Sequence, residues 1–454
     1  MLKSVNPATG KIIESYETHS EKGVEKIINS TNKTWQQWKS TSFSQRASCM
    51  QNLSTVLRSR KEELARLMAI EMGKVVKEGV AEIEKCAWGC EYYAQYAESF
   101  LENEHIETEA FRSYISYQPL GTILAVMPWN FPFWQVFRFL APTLMAGNTA
   151  VLKHASNVPG CAMAIEEMVR EAGFPENVFR TLLIASKQVE NVIRHPAIKA
   201  VSLTGSTPAG KSVAAIAGSV LKKCVLELGG SDPYIILEDA ELEKAAKICA
   251  TSRLLNAGQS CIAAKRFIVV GEVYTEFLEY FAQEMNQAIF GDPCDSETTM
   301  GPMARKDLRN ELHQQVVNSV KTGAEIVLGG EIPNRKGAFY PPTILENVKP
   351  GMPAYDEELF GPVASVIRVK NEAEAIKVAN DTEFGLGAAV FTRDLKNGEK
   401  IAENLLEVGC CFVNDFVKSD PRLPFGGIKT SGYGRELSTH GIKEFMNVKT
   451  VVVK

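Results

Sequence analysis

Two α/β domains, each wound from parallel βα units, are what this sequence predicts, on three observations. Short apolar runs alternate with helical stretches between Thr149 and Leu221. A second series of such runs starts at Pro233. And 454 residues, 45% of them hydrophobic, are too many for one simple core yet ample to fill two or three. The two domains are expected to meet near Glu227.

In chain order, the first expected element is an amphipathic helical layer from Glu21 to Phe100. There Val24, Ile27 and Ile28, then Leu53, Val56, Leu57, Leu64 and Leu67, recur at helical spacing with Lys, Glu and Arg between them. Ser113 to Tyr117 alternates as a half-exposed strand does. Thr122 to Val126 reads as a buried strand, stopped by the run Pro128-Trp129-Asn130-Phe131-Pro132. Strands follow at Thr149 to Lys153 and Ala200 to Thr204, with helices near Gly160 to Ala172 and Ala209 to Leu221. The second series comprises Pro233 to Leu237, Phe267 to Val270, Ala324 to Leu328 and Val363 to Val369. Lys449 to Lys454 is a last strand, without an obvious neighbour in sequence, which would add to a sheet elsewhere or in another subunit.

The charge balance narrows the partners. A net charge of -4 with mixed signs gives no footprint for nucleic acid or an anionic membrane, so small molecules are the expected ligands. The first seven residues lack a positive leader followed by an apolar segment, and no apolar stretch approaches bilayer length. Cytoplasmic residence is the default. The ten cysteines are scattered in apolar segments rather than spaced as a framework, which predicts reduced thiols. The six histidines form no ligand array, so no metal site is expected.

Four places carry chemistry. Gly205 to Ser212 fits the GxxxxGK[ST] phosphate loop letter by letter, which would make the protein a nucleoside triphosphatase. Pro208 argues against it, because it restricts the loop and removes an amide donor. A strand, a Gly205-Ser206 turn and a helix N-terminus remain, and they suit a dinucleotide pyrophosphate. Cys261 ends the run Asn256-Ala257-Gly258-Gln259-Ser260. A cysteine is usually a core residue, but the polar residues and Gly258 before this one, after a helical segment from Ala245 to Leu255, predict an accessible thiol. Glu227 sits among Val225, Leu226 and Leu228, either as a solvated strand-edge group or as a buried acid with a raised pKa; only the second suits general-base work near neutral pH. Asn130 either caps its turn or offers a preorganised amide to an oxyanion.

Taken together, Pro128 to Pro132, Leu203 to Ser206, Leu226 to Gly230, Gly258 to Cys261, Glu358 to Pro362 and Pro424 to Gly432 resemble the aldehyde dehydrogenase superfamily, in the family's order and over nearly the whole chain. The resemblance implies an aldehyde-dehydrogenase-like fold of two Rossmann-type α/β domains plus a small β oligomerisation element. It divides the chain into an NAD(P)-binding domain (1–106 and 121–228), a catalytic domain (229–432) and the oligomerisation element (107–120 and 433–454). It also implies Cys261 as nucleophile, Asn130 and the Cys261 amide as oxyanion donors, and Glu227 as the base for hydrolysis. Trp129, Lys153, Ser156, Gly205, Ser206, Leu228, Glu358 and Phe360 are then the cofactor-binding residues. Ser156 stands where many NAD-preferring members have a glutamate; lacking that carboxylate beside Lys153, the site is expected to take NADP, alongside NAD or in preference to it.

The implied substrate is succinate semialdehyde or another small aldehyde, and the implied assembly a homodimer or homotetramer. Arg138 aligns with an arginine that succinate-semialdehyde dehydrogenases use for the distal carboxylate; its bland reading is a surface helix charge. Ser419 and Phe425 are the other expected substrate contacts. Leu255 replaces a second arginine common in those enzymes, as in a compact bacterial subgroup. The rival readings are the phosphate-loop enzyme and a non-catalytic, crystallin-like relative, which would usually have lost Cys261 or Glu227.

Overall fold

The computed structural model describes all residues, 1–454. Two sheets organise it. The six-stranded sheet runs, edge to edge, Gly432–Tyr433, Lys223–Glu227, Ile198–Thr204, Thr122–Met127, Thr149–His154 and Phe179–Thr181, parallel except for the first. Its strands are apolar on both faces because both faces are covered. Ile123, Ala125 and Met127 point to one cluster with the helices Phe43–Ser59, Val76–Phe100 and Trp134–Met145, while Leu124 points to the other with Glu21–Trp38.

The chain leaves this sheet at Glu227 and enters the seven-stranded one at Pro233. That sheet runs Glu325–Leu328, Thr343–Glu346, Val363–Val369, Arg266–Val270, Pro233–Ile236, Gly387–Phe391 and Cys410–Val413, with only the first strand antiparallel. Alternation again divides the residues, Ile235 and Ile268 to one core and Tyr234 and Phe267 to the other.

The strand left without a neighbour in sequence finds one in the same chain. Met446–Val453 pairs antiparallel with Arg112–Pro119, which in turn pairs with Glu104–His105. A hairpin of Leu2–Val5 and Ile12–Tyr16 precedes the helical layer. Periodicity could not announce it, since most of its side chains are exposed. All ten cysteines are unpaired. No helix is long and apolar enough to cross a membrane.

In the six-stranded sheet the chain starts at Thr122–Met127, proceeds outward through the next two strands, then returns to the other side of the first. The strand order therefore reverses between Thr122–Met127 and Ile198–Thr204. Above the carboxyl ends of two such strands the following connections diverge and leave a crevice. Trp129, Asn130, Gly205 and Ser206 stand at that place.

Candidate active site

Two cavities meet at Cys261. The first, of about 240 Å³, lies in the crevice and is lined by Trp129, Asn130, Gly205, Ser206, Leu228, Glu358 and Phe360 among others. The second, of about 80 Å³, is lined by Lys85, Trp134, Gln135, Arg138, Leu255, Phe416, Ser419 and Phe425. Cys261 belongs to both linings and is partly accessible.

The turn that presents the thiol is strained and held from outside. Asn256, Ala257 and Gly258 are consecutive residues with positive φ, +56°, +53° and +72°. A Cβ on residue 258 would strike the backbone of Gly361 and lie 2.7 Å from Pro362 N, so the position admits only glycine. Asn256 Nδ2 donates to the carbonyls of Asn130 (2.7 Å) and Gln259 (3.1 Å), and Ala304 N–H donates to Gln259 Oε1 (2.8 Å). Lys265 Nζ donates to the carbonyls of Ser260 (2.9 Å) and Cys261 (2.7 Å). Left-handed backbone at a non-glycine residue costs about 1–2 kcal/mol, which this network must offset. Burial pushes the Cys261 thiol up to about 12, with nearby Arg138 and Lys265 acting in the opposite direction. The resting sulfur is therefore protonated.

Asn130 is buried, and one N–H of its amide donates to Gln259 O (3.1 Å). The second N–H is left over in the cavity lining, and the Cys261 backbone N–H donates to no protein acceptor. The turn around Asn130 is fixed by residues that sequence reasoning missed. Glu82 accepts from the N–H groups of Phe133 and Trp134 (2.9 Å each) and is ion-paired with Lys74. His154 donates from Nε2 to Pro132 O (2.8 Å) while Ala155 N–H donates to its Nδ1 (2.9 Å). Burial pushes that imidazole down to about 4, so it stays neutral at ordinary pH. The helical pattern around Glu82 was the only available signal, and it did not name a partner.

Glu227 proves to be the buried acid of its two readings. It is 2% exposed, neither carboxylate oxygen has a hydrogen-bond partner, and burial raises its pKa well above the ordinary value. It lines neither cavity. Its carboxylate packs against Gly426, where a Cβ would lie 2.7 Å from Oε1, and it feels Arg138 and Glu436.

Arg138 is not a surface charge. It is 2% exposed, ion-paired with Glu436, and stacked 4.6 Å from the Phe425 ring. It lines the smaller cavity but already has a carboxylate partner. Ser419 and Phe425 line the same cavity. Among nearby polar residues, Arg253 is fully buried outside the lining and donates to Gly258 O, and Asp420 pairs with Arg422.

The larger cavity fits a dinucleotide by its chemistry. Ser206 precedes the helix Thr207–Ser219 without using its side chain as a cap, leaving hydroxyl and first-turn amides for an anion. Glu358 accepts from Gly230 N–H (3.1 Å) and lies 3.4 Å from Lys265 Nζ; a Cβ at position 229 would displace it. Phe360 meets Trp129 edge to face at 5.8 Å. Lys153 is buried, its pKa lowered by that burial, and donates to Ser186 Oγ (3.4 Å), while Ser156 is exposed nearby in sequence and lines a separate surface groove with Lys3 and Arg305.

The phosphate-loop reading fails on geometry. The strand ends at Thr204 and the helix begins at Thr207, so Gly210, Lys211 and Ser212 are helical and no loop of amides exists to wrap phosphates. Gly210 serves packing instead, since a Cβ there would lie 2.5 Å from Leu228. Asp239, at the end of the strand Pro233–Ile236, accepts from Thr392, Arg393 and Asp394.

The description of the aldehyde dehydrogenase family fits residues 1–451, practically the whole chain. The chain belongs to the aldehyde dehydrogenase family. It is 48% identical over 450 residues to a probable succinate-semialdehyde dehydrogenase [NADP(+)] of Synechocystis sp., covering 99% of each. It is 46% identical over 453 residues to succinate-semialdehyde dehydrogenase [NADP(+)] 1 of Mycobacterium bovis, again covering 99% of each. Among solved structures it resembles the succinic semialdehyde dehydrogenase of Streptococcus pyogenes in complex with NADP+, with a TM-score of 0.98, 37% identity and full coverage of both chains. This aldehyde dehydrogenase thus shares the fold foreseen from its motifs.

Proposed function

We propose that this aldehyde dehydrogenase oxidises succinate semialdehyde, or a closely similar short ω-oxo acid, to the free acid, with NADP accepted and preferred to NAD. The observation that carries the proposal is the position of Cys261 in the lining of two cavities at once, one suited to a dinucleotide and one small and cationic. The names of its relatives supply the substrate.

In this reading the aldehyde enters the smaller cavity and the Cys261 sulfur, once deprotonated, bonds to its carbonyl carbon. The second N–H of Asn130 and the Cys261 amide hold the oxygen as it becomes negative. Trp129, Lys153, Ser156, Gly205, Ser206, Leu228, Glu358 and Phe360 would hold the dinucleotide, Lys153 and Ser156 from outside the cavity lining. When bound, it supplies the acceptor for the hydride that leaves the former aldehyde carbon, and a thioester remains on Cys261. Glu227 then takes a proton from the water that attacks the thioester, and Cys261 leaves as the thiol. Because Glu227 lines neither cavity at rest, its side chain must rotate toward Cys261 for that step. Burial raises its pKa, which makes Glu227 a stronger base than an exposed carboxylate once it is ionised.

We assign 1–106 and 121–228 to cofactor binding, 229–432 to catalysis and 107–120 with 433–454 to assembly of a homodimer or homotetramer. The unpaired edge of Met446–Val453, with Val448 and Val452 exposed, supports the last point. The direct test mixes the protein with succinate semialdehyde and either dinucleotide and follows absorbance of the reduced nicotinamide. Faster turnover with NADP at matched concentration is expected. Equal or better turnover with NAD overturns the preference, and no turnover with either overturns the activity.

A further inference from the structure

Lys265 follows the nucleophile in sequence, just before the strand Arg266–Val270, and is 1% exposed. An ammonium has three protons, and this one has three acceptors. Two are carbonyls of the nucleophile's own turn, Cys261 O at 2.7 Å and Ser260 O at 2.9 Å. The third is Glu358 Oε1 at 3.4 Å, in the lining of the larger cavity. A neutral amine would bring two protons and a lone pair to three oxygens. The contacts therefore call for the charged form, even though burial lowers the pKa of Lys265.

A buried charge is a costly way to hold two carbonyls, since a neutral amide side chain could donate to both. What the amide could not supply is positive potential beside the sulfur. Arg138 also supplies it, but is ion-paired with Glu436. The carboxylate at ion-pair distance from Lys265 is Glu358, whose Oε1 is shared with Gly230 N–H at 3.1 Å. Asp232 lies close as well; its backbone carbonyl accepts from Lys265 N–H at 3.2 Å, and its Oδ1 accepts from Gly387 N–H at 3.2 Å.

We propose that Lys265 is a positioning residue for the nucleophile: it fixes the Cys261 turn through two carbonyls and by its charge favours the sulfur as an anion, while Glu358 opposes that charge from the wall of the larger cavity. This rests on Cys261 as the nucleophile and not on which aldehyde is oxidised.

The charged or titratable groups that face the sulfur are Arg138, Lys265, Glu358, Asp232 and Cys410, and those that face Lys265 are Glu358, Asp232, Arg253 and Cys261. Burial pushes Asp232 up to about 7 and Arg253 down to about 9, and holds the Cys410 thiol well above its ordinary value. At about pH 8 Asp232 is then mostly ionised, Arg253 mostly charged and Cys410 neutral, so Lys265 and Glu358 can be varied against a constant background.

The experiment follows alkylation of Cys261 by iodoacetamide, in which the thiolate forms an S–C bond and iodide leaves. It is read by mass spectrometry of the Cys261 peptide at about pH 8, without aldehyde or dinucleotide. A thiol pKa raised by one unit lowers the thiolate fraction about tenfold and raises its nucleophilicity in part, leaving a rate about threefold lower. Lys265→Gln and Lys265→Met should both be slower by about that factor or more. Lys265→Gln can still donate to both carbonyls, so a Lys265→Gln rate equal to the wild type would reduce Lys265 to holding the turn and overturn the proposal. Glu358→Gln alters a partly exposed side chain and leaves Lys265 in place, so it decides the matter if the Lys265 variants do not fold. It should react about threefold faster than the wild type. An unchanged or lower rate overturns the proposal. Failure of Cys261 as the nucleophile looks different: in the wild type its peptide would stay unmodified from roughly pH 7 to pH 10 while other cysteines react.

Discussion

The two cavities that share Cys261 are built from different materials. The larger is shaped mostly by backbone: a proline-bracketed turn, the Gly205-Ser206 turn at a helix N-terminus, and Gly229 where a side chain would displace Glu358. The smaller is shaped by side chains from distant elements, such as Lys85 and Ser419, which lie 334 residues apart and meet at 2.9 Å. Backbone shape demands particular residue types at fixed spacing. Side-chain shape can be met by many combinations, so it leaves little imprint on the sequence. The difference separates a cofactor site that a family can share from a substrate site that each member can alter.

The sulfur common to both cavities offers the harshest break of that comparison. Cys261→Ala should lower turnover by about 10⁴-fold or more with every aldehyde and either dinucleotide, measured by reduced-nicotinamide absorbance. Activity that survives would remove the junction between the cavities.

Next comes the strained turn. Gly258→Ala must accept a φ of +72° and a clash with Gly361, so a loss of about 3 kcal/mol or more is expected by thermal or denaturant unfolding. Gly173→Ala serves as the contrast, with φ at +87° but nothing within 4 Å, and should cost about 1 kcal/mol. Similar losses at both positions would show that the turn carries no special constraint.

On the dinucleotide side, Ser156→Glu adds a carboxylate three residues after Lys153 and should lower the NADP-to-NAD ratio of kcat/KM by about tenfold to a hundredfold. On the aldehyde side, Phe416→Ala should raise relative activity toward longer aldehydes by several-fold to about tenfold, since a methylene or two of apolar contact is worth that much. If Ser156→Glu changed aldehyde selectivity, or Phe416→Ala cofactor selectivity, the division of labour between the cavities would be wrong.

The same contrast explains what the sequence made legible. Most of the strand and helix runs stand where alternation and helical spacing put them, because both faces of each sheet are covered and their apolar residues have no freedom to be polar. Asn130, Gly205, Ser206, Glu358 and Phe360 were readable as motif residues and do line one cavity with Cys261. Lys74, Glu82, Lys85 and His154 were not, because each acts through a partner that only the tertiary fold brings near. The partner of Met446–Val453, more than three hundred residues earlier, was silent in the alternation pattern and came only from the resemblance, which groups 107–120 with 433–454. Glu227 was ambiguous since a carboxylate among apolar neighbours has the same spelling whether solvated or buried. The phosphate-loop letters, already opposed by Pro208, matched by chance because a pattern does not say where a helix starts.

The most direct test of covalent chemistry at position 261 uses Glu227→Gln. That protein is mixed with succinate semialdehyde and NADP, quenched in acid, digested, and read by mass spectrometry. The account predicts a single burst of reduced nicotinamide and a succinyl group on the peptide that contains Cys261, because the thioester forms and then waits for a base. Continued turnover with Cys261 unmodified would contradict it.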